Sequence, residues 1–196
     1  MRLRDAVAIV RDTRGEDDVV VTTMGAAREW LALGPSHPLD VVFVPSAMGH
    51  ATSLGLGIAL ARPDHRVIVL NGDGSMLMNL GSLVTITAEQ PANLVLVVCD
   101  NGAYEVTGAQ PTPGTAAGRA RKDSLDWVAL ARAAGFTSVF HFSALDAWRE
   151  GMPGALAAEG PVFVHLATEA DPAAGGPRSP GPAADRARAL RGALTS

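Results

Sequence analysis

The chain is 196 residues long, 47% hydrophobic and 18% charged, with a formal net charge of −4. That length suits one domain with a sizeable core, and 16 Lys+Arg against 20 Asp+Glu offer no basic face of the kind that phosphate-backbone binding requires, so no nucleic-acid partner is expected. The single cysteine, Cys99, excludes an internal disulfide, a multi-cysteine zinc site and a four-cysteine iron–sulfur cluster on this chain.

Residues 2–13 alternate charged and aliphatic side chains at near-helical spacing and predict a first helix, after which "RGEDD" (14–18) reads as a polar turn. Short β-branched runs follow: "VVVTT" (19–23), "VVFV" (41–44), "RVIVL" (66–70), "LVLVVC" (94–99), "SVF" (138–140) and "PVFVHL" (161–166). Being apolar on both faces, they predict strands of a parallel sheet covered on both sides. Helix-length segments lie between them at 49–61, 76–90, 124–135 and 143–159. This alternation predicts an α/β fold, a doubly wound and mostly parallel sheet with helices on both faces. Ser124 and Ser143 stand where N-caps belong, and Gly135 and Gly160 where helices should stop.

Residues 102–123 are too long and too rich in Gly, Pro and Thr for a simple connection and read as a binding loop. Residues 170–183 read as a Pro/Gly-rich linker before a short helix over 184–194. The domain is therefore drawn over 1–169, with 170–196 as its tail. The first residues lack the uninterrupted apolar run of a secretory leader, and "LVLVVC", the longest apolar run, is far short of the roughly 20 residues that cross a bilayer. A soluble, cytoplasmic protein without a membrane partner is the expectation.

Two turns carry the chemistry. Gly72-Asp73-Gly74-Ser75 follows one strand and opens a helix, which places it at the carboxyl ends of the sheet where ligands bind. Its glycines let backbone approach a ligand, and free N–H groups at a helix start favour phosphate. An aspartate beside a diphosphate would repel it unless a cation lay between, so Asp73 reads as a Mg²⁺ ligand. The next strand ends in Asp100-Asn101-Gly102, where Asn101 can add a side-chain carbonyl and Ala103 a backbone one. Either turn alone is an ordinary connector; the pair carries the reading.

With "GDGS" followed by "DNG" at this interval, the chain resembles the thiamine diphosphate (TPP) enzymes in their diphosphate-binding domain. "SAMGHATSLGLGIALA" (46–61) and "DNGAYEVTGAQPT" (100–112) resemble most closely the sulfopyruvate and phosphonopyruvate decarboxylases, and the likeness spans roughly residues 19–167. It implies that Asp73, Asn101 and the Ala103 carbonyl hold Mg²⁺, and that Gly72, Gly74 and Ser75 form the diphosphate turn, joined by Thr107. It also implies that Met48 lies beneath the cofactor and bends its two rings into a V, while the carbonyl near Ser46 holds the pyrimidine amino group. In this family the cofactor is the electron sink for CO₂ loss from a 2-oxo acid.

The family also needs a glutamate opposite the pyrimidine, supplied by a separate pyrimidine-binding domain for which neither residues 1–18 nor the tail leaves room. The expectation is a partner subunit carrying that glutamate, in a hetero-oligomer with an even number of chains, acting on a small anionic 2-oxo acid. Glu16, Asp17, Asp18 and Glu29 lie outside the motif turns and read as surface or helix-face residues. His50, at a helix entry, is the candidate catalytic side chain on this chain, against a plainer capping role. Arg119, Arg121 and Lys122 are candidates to meet a sulfonate or phosphonate, against the plainer reading of a solvated loop. Tyr104 and Glu105 flank the same turn. His37, His65, His141 and His165 lack ligand spacing, and Cys99 reads as a small buried hydrophobe. Three other functions fit the same motifs: a TPP-dependent carboligase, a decarboxylase of another 2-oxo acid, and a non-catalytic diphosphate-binding module stabilising a partner.

Overall fold

A computed structural model describes residues 1–43, 48–120, 123–171 and 181–195. In chain order the elements are α1 (Leu3–Thr13), β1 (Val19–Thr23), α2 (Met24–Ala32), β2 (Asp40–Phe43), α3 (Ala51–Ala61), β3 (Val67–Gly72), α4 (Asp73–Leu77) and α5 (Gly81–Glu89). They continue with β4 (Leu94–Asp100), β5 (Ala103–Tyr104), β6 (Gln110–Pro111), α6 (Trp127–Ala134), β7 (Ser138–Phe142), α7 (Leu145–Ala157), β8 (Val162–Ala167) and α8 (Ala183–Thr195). Six strands form one sheet in the order β2-β1-β3-β4-β8-β7, with every pairing parallel. β5 and β6 make a small antiparallel hairpin of their own. The doubly wound α/β architecture is the one the hydrophobic runs predict.

The period of two along each strand divides the core into two layers. On β3, Ile68 and Leu70 face one layer while Val67 and Val69 face the other, and on β4 Val95 and Val97 oppose Leu94, Leu96 and Val98. The first layer is closed by α1, α2 and α7 through Val7, Val10, Trp30, Trp148 and Met152. The second is closed by α3, α5 and α6 through Ile58, Leu83, Ile86 and Trp127. Central strands buried on both faces explain why their sequences run as continuous aliphatics rather than alternating with polar residues.

Several local expectations shift. The helix expected over 76–90 starts three residues earlier, at Asp73, and is interrupted between Leu77 and Gly81. Asp126, not Ser124, caps α6, its carboxylate accepting from the Ala129 amide at 2.9 Å; a charged acceptor also suits the positive end of the helix dipole. α7 begins after Ala144 without a side-chain cap, and it ends at Ala157, ahead of Gly160. Gly135 does end α6, in a left-handed conformation. α2 is a helix that the sequence reading passed over. In the tail, α8 rests Leu190, Ala193 and Leu194 on the second core layer, and Arg186 donates to the Val42 carbonyl on the edge strand β2. Among the described residues no helix is long and apolar enough to cross a membrane.

Candidate active site

The sheet order reverses direction between β1 and β3, because the chain leaves β1 toward β2 on one side and returns to build β3, β4 and β8 on the other. A crevice opens at such a switch point, outside the carboxyl ends of the strands. It is lined here by Met24–Ala26 after β1, Gly72–Ser75 after β3, Cys99 and Asn101 at the end of β4, Ala103–Thr107 after it, Met48, and Leu3 from α1. Tertiary structure thus brings together Met48, Gly72, Asp73, Gly74, Ser75, Asn101, Ala103 and Thr107. Tyr104 and Glu105 join them.

Asp73 is 2% exposed and accepts a hydrogen bond from Thr112 Oγ1 at 3.0 Å. Burial, followed by the charge of Asp100, pushes its carboxyl up to about 7. Burial also acts to raise Asp100, but the hydrogen bond and charge of His165, the Gly102 amide and the Trp127 indole hold it below the ordinary carboxylate range. Those partners are close: His165 Nε2 at 3.1 Å, Trp127 Nε1 at 3.0 Å and Gly102 N at 3.1 Å. His165 in turn meets His141, Nδ1 to Nδ1 at 3.0 Å, with the rings stacked. Cys99 is fully buried beside both carboxylates, and its thiol is pushed up to about 12 by burial and by their charges. It is an inert wall residue, as its place on an apolar strand suggests.

The charged form of Asp73, withdrawn from water beside a second carboxylate, is disfavoured, and a hard dication would relieve it. Asn101 adds an amide oxygen, which also accepts from the Ala103 amide at 3.0 Å and so fixes the turn that presents Ala103. Gly74 must lack a side chain, since a Cβ there would lie 2.6 Å from the Tyr104 ring. Ser75 has a use the sequence did not disclose: its Oγ accepts from the Gly49 amide at 2.9 Å, next to Met48. Thr107 lies at the rim, bonded to Gln110 Oε1 at 3.2 Å.

The structure does not bring every candidate into the crevice. His50 is exposed at the N-terminal boundary of α3 and does not line it. Arg119 pairs with Asp123 at 3.8 Å, away from the lining. Ser46, Arg121 and Lys122 lie outside the described residues. Conversely, sequence reasoning passed over Met24–Ala26, Thr112 and the hydroxyls of Thr22 and Thr23, which are buried at the end of β1 without hydrogen-bond partners. The available signal was the polar end of an otherwise aliphatic run, "VVVTT".

A switch-point crevice with a buried carboxylate turn and glycine-rich backbone at a helix start is the kind of site at which α/β domains bind phosphate-bearing cofactors. Comparison with known proteins gives the family. Residues 18–166 match the model of the thiamine pyrophosphate enzyme, C-terminal TPP binding domain, and the chain belongs to that family. It is 39% identical over 154 residues to a sulfopyruvate decarboxylase subunit beta of Methanothermobacter thermautotrophicus, covering 77% of this chain and 74% of that protein. It is 41% identical over 152 residues to a phosphonopyruvate decarboxylase of Streptomyces viridochromogenes, covering 77% of this chain but only 36% of that one. A solved thiamine diphosphate-dependent 4-hydroxybenzoylformate decarboxylase of Rhodococcus jostii RHA1 shares the fold, with a TM-score of 0.68 and 24% identity over 88% of this chain and 33% of its own. The chain thus spans about a third of two of these relatives and about three quarters of the beta subunit.

Proposed function

We propose that this chain is the thiamine diphosphate- and Mg²⁺-binding component of a 2-oxo acid decarboxylase acting on sulfopyruvate or phosphonopyruvate. The observation that carries the reading is the buried Asp73 beside Asp100, within a crevice that also presents Asn101 and Ala103. Asp73, the Asn101 side chain and the Ala103 carbonyl would hold the metal. Gly72, Gly74 and Ser75 would hold the diphosphate at the start of α4, with Thr107 at its rim. Met48 would support the rings, and Ser46 remains the candidate for the pyrimidine amino group. When bound, the cofactor supplies the electron sink for loss of CO₂. This chain's own part is to bind and orient that group and, with apolar walls from Leu3, Met24 and Cys99, to keep water from it.

A second subunit would carry the pyrimidine-binding domain and its glutamate, in an even-numbered hetero-oligomer in the cytoplasm. The likeness to a protein named as a beta subunit, most of whose length is covered, supports this arrangement. His50 and Arg119 line no part of the crevice in the single chain. The reading is tested by a panel of 2-oxo acids assayed with the chain alone and with its partner. Turnover of a sulfonate- or phosphonate-bearing acid only by the pair is expected. Robust turnover by the isolated chain would overturn the split site, and carboligation without net aldehyde release would favour the carboligase alternative.

A further inference from the structure

Gly49 is held from both sides. Its amide donates to Ser75 Oγ at 2.9 Å, and its carbonyl accepts from Asn79 Nδ2 at 2.7 Å. Its φ of +79° is left-handed, which makes this turn a glycine position. Asn79 is braced as well: Nδ2 reaches Ser53 Oγ at 3.3 Å, and its carbonyl accepts from Ser82 Oγ at 2.7 Å. Ser82 in turn bonds Thr52 of α3 at 2.9 Å.

These bonds explain the interruption of the helix expected over 76–90. Asn79 sits between the end of α4 at Leu77 and the start of α5 at Gly81. The break forgoes regular helical bonding, and in its place stands a polar grip on the residue next to Met48. Met48 lines the crevice, and its thioether side chain offers only a weak acceptor with which to fix its own position.

We propose that Asn79, acting with Ser75, is a positioning residue for the reaction: it fixes the Met48 turn against the ring end of the cofactor, while Asp73 serves the metal and diphosphate end. The proposal rests on the thiamine diphosphate reading and divides the site into two separable parts. Affinity follows the charged end, and competent ring geometry follows the Asn79–Gly49 grip. A misplacement of the rings then costs rate without costing binding.

The test uses the full chain with its partner subunit and the variants Asn79→Ala, Asn79→Asp and Asp73→Ala. Thiamine diphosphate and Mg²⁺ are titrated calorimetrically, kcat and KM are measured, and the near-ultraviolet circular dichroism of the bound cofactor is recorded. Both Asn79 variants should bind cofactor within about threefold of wild type, lose on the order of 10- to 100-fold in kcat with KM unchanged, and alter the dichroism of the bound rings. Asp73→Ala should lose binding itself. Cofactor affinity falling in step with kcat in the Asn79 variants, or kcat and dichroism both unchanged, would overturn the proposal. Failure of wild type to bind the cofactor would instead overturn the thiamine diphosphate reading. Asn79→Asp keeps the side-chain size and exchanges the amide donor for a carboxylate oxygen that the Gly49 carbonyl cannot accept from, so it serves if the alanine variant does not fold. Hydrogen exchange gives an activity-free readout: faster exchange over 48–50 in Asn79→Asp, with the sheet unchanged, is expected, and unchanged exchange there counts against the grip.

Discussion

Thr112 donates its hydroxyl to Asp73 Oδ2 at 3.0 Å, joining residues 39 apart in sequence within a fully buried contact. The bond pins the loop after the β5–β6 hairpin onto the turn after β3. It also satisfies one oxygen of a carboxylate that has little access to water. Removing the hydroxyl while keeping the shape isolates this bond. Thr112→Val should destabilise the metal-free chain by about 1–3 kcal/mol, the cost of an unpaired buried acceptor, read as a lower urea midpoint with an unchanged slope. An unmoved midpoint would show that the loop is held by other contacts.

Asp73 makes the metal-free chain sensitive to pH. Its folded pKa of about 7 lies above the unfolded value near 4, so the folded chain binds the extra proton between those values. The stability it contributes is fully present below about pH 4 and is lost as pH rises through about 7. Asp100, held low, acts with the opposite sign, and its contribution is lost as pH falls through its depressed pKa. Asp73→Asn should therefore flatten the decline between pH 4 and 7 and raise metal-free stability at pH 8 by roughly 1–4 kcal/mol. The same variant should lose metal-dependent cofactor binding. Urea unfolding across pH, with and without Mg²⁺ and cofactor, checks both halves.

Arg28 and Glu105 tie α2 to the crevice wall. Arg28 Nη2 lies 3.4 Å from Glu105 Oε2, with the Glu105 side chain 7% exposed, and the Asp171 amide donates to the other oxygen at 2.8 Å. Truncating the cation strands the more deeply buried charge, the 7% exposed Glu105 carboxylate, whereas neutralising the acid strands the Arg28 guanidinium, which is 20% exposed. Arg28→Met should cost roughly 2–4 kcal/mol, and Glu105→Gln, which keeps the Asp171 bond, about 1 kcal/mol. A double-mutant cycle in urea reads the asymmetry; equal losses would count against it.

Gly74 and Tyr104 compete for one space. A Cβ on Gly74 would meet the Tyr104 ring at 2.6 Å, so Gly74→Ala should destabilise by about 1–3 kcal/mol through forced displacement of the ring. Adding Tyr104→Ala should recover part of that loss. If the double variant is merely the sum of the two single losses, the clash is not the cause.

The legible parts of the site are those whose chemistry is local. Asp73, Asn101 and Ala103 could be read because an aliphatic strand, a glycine-flanked acid and a helix start lie within a few residues of one another. α2 was passed over because "REWLAL" is short and follows β1 without a turn: Met24 makes the corner with a φ of +54°, a conformation that no sequence pattern announces for methionine. His141 and His165 gave no spacing signal, since they meet only because β7 and β8 pair with His141 opposite His165. The Asn79–Gly49 and Thr112–Asp73 bonds were hidden for the same reason.

By itself the sequence determined the strands, the two-sided core and the acidic and amide turns at the strand ends, because each follows from short-range periodicity and turn chemistry. The tertiary structure alone decided which turns share a crevice, which carboxylate is raised and which lowered, and how Met48 is held. Those outcomes depend on strand order and burial, and desolvation and hydrogen bonding act between groups that only the fold brings within 3 Å or so of each other.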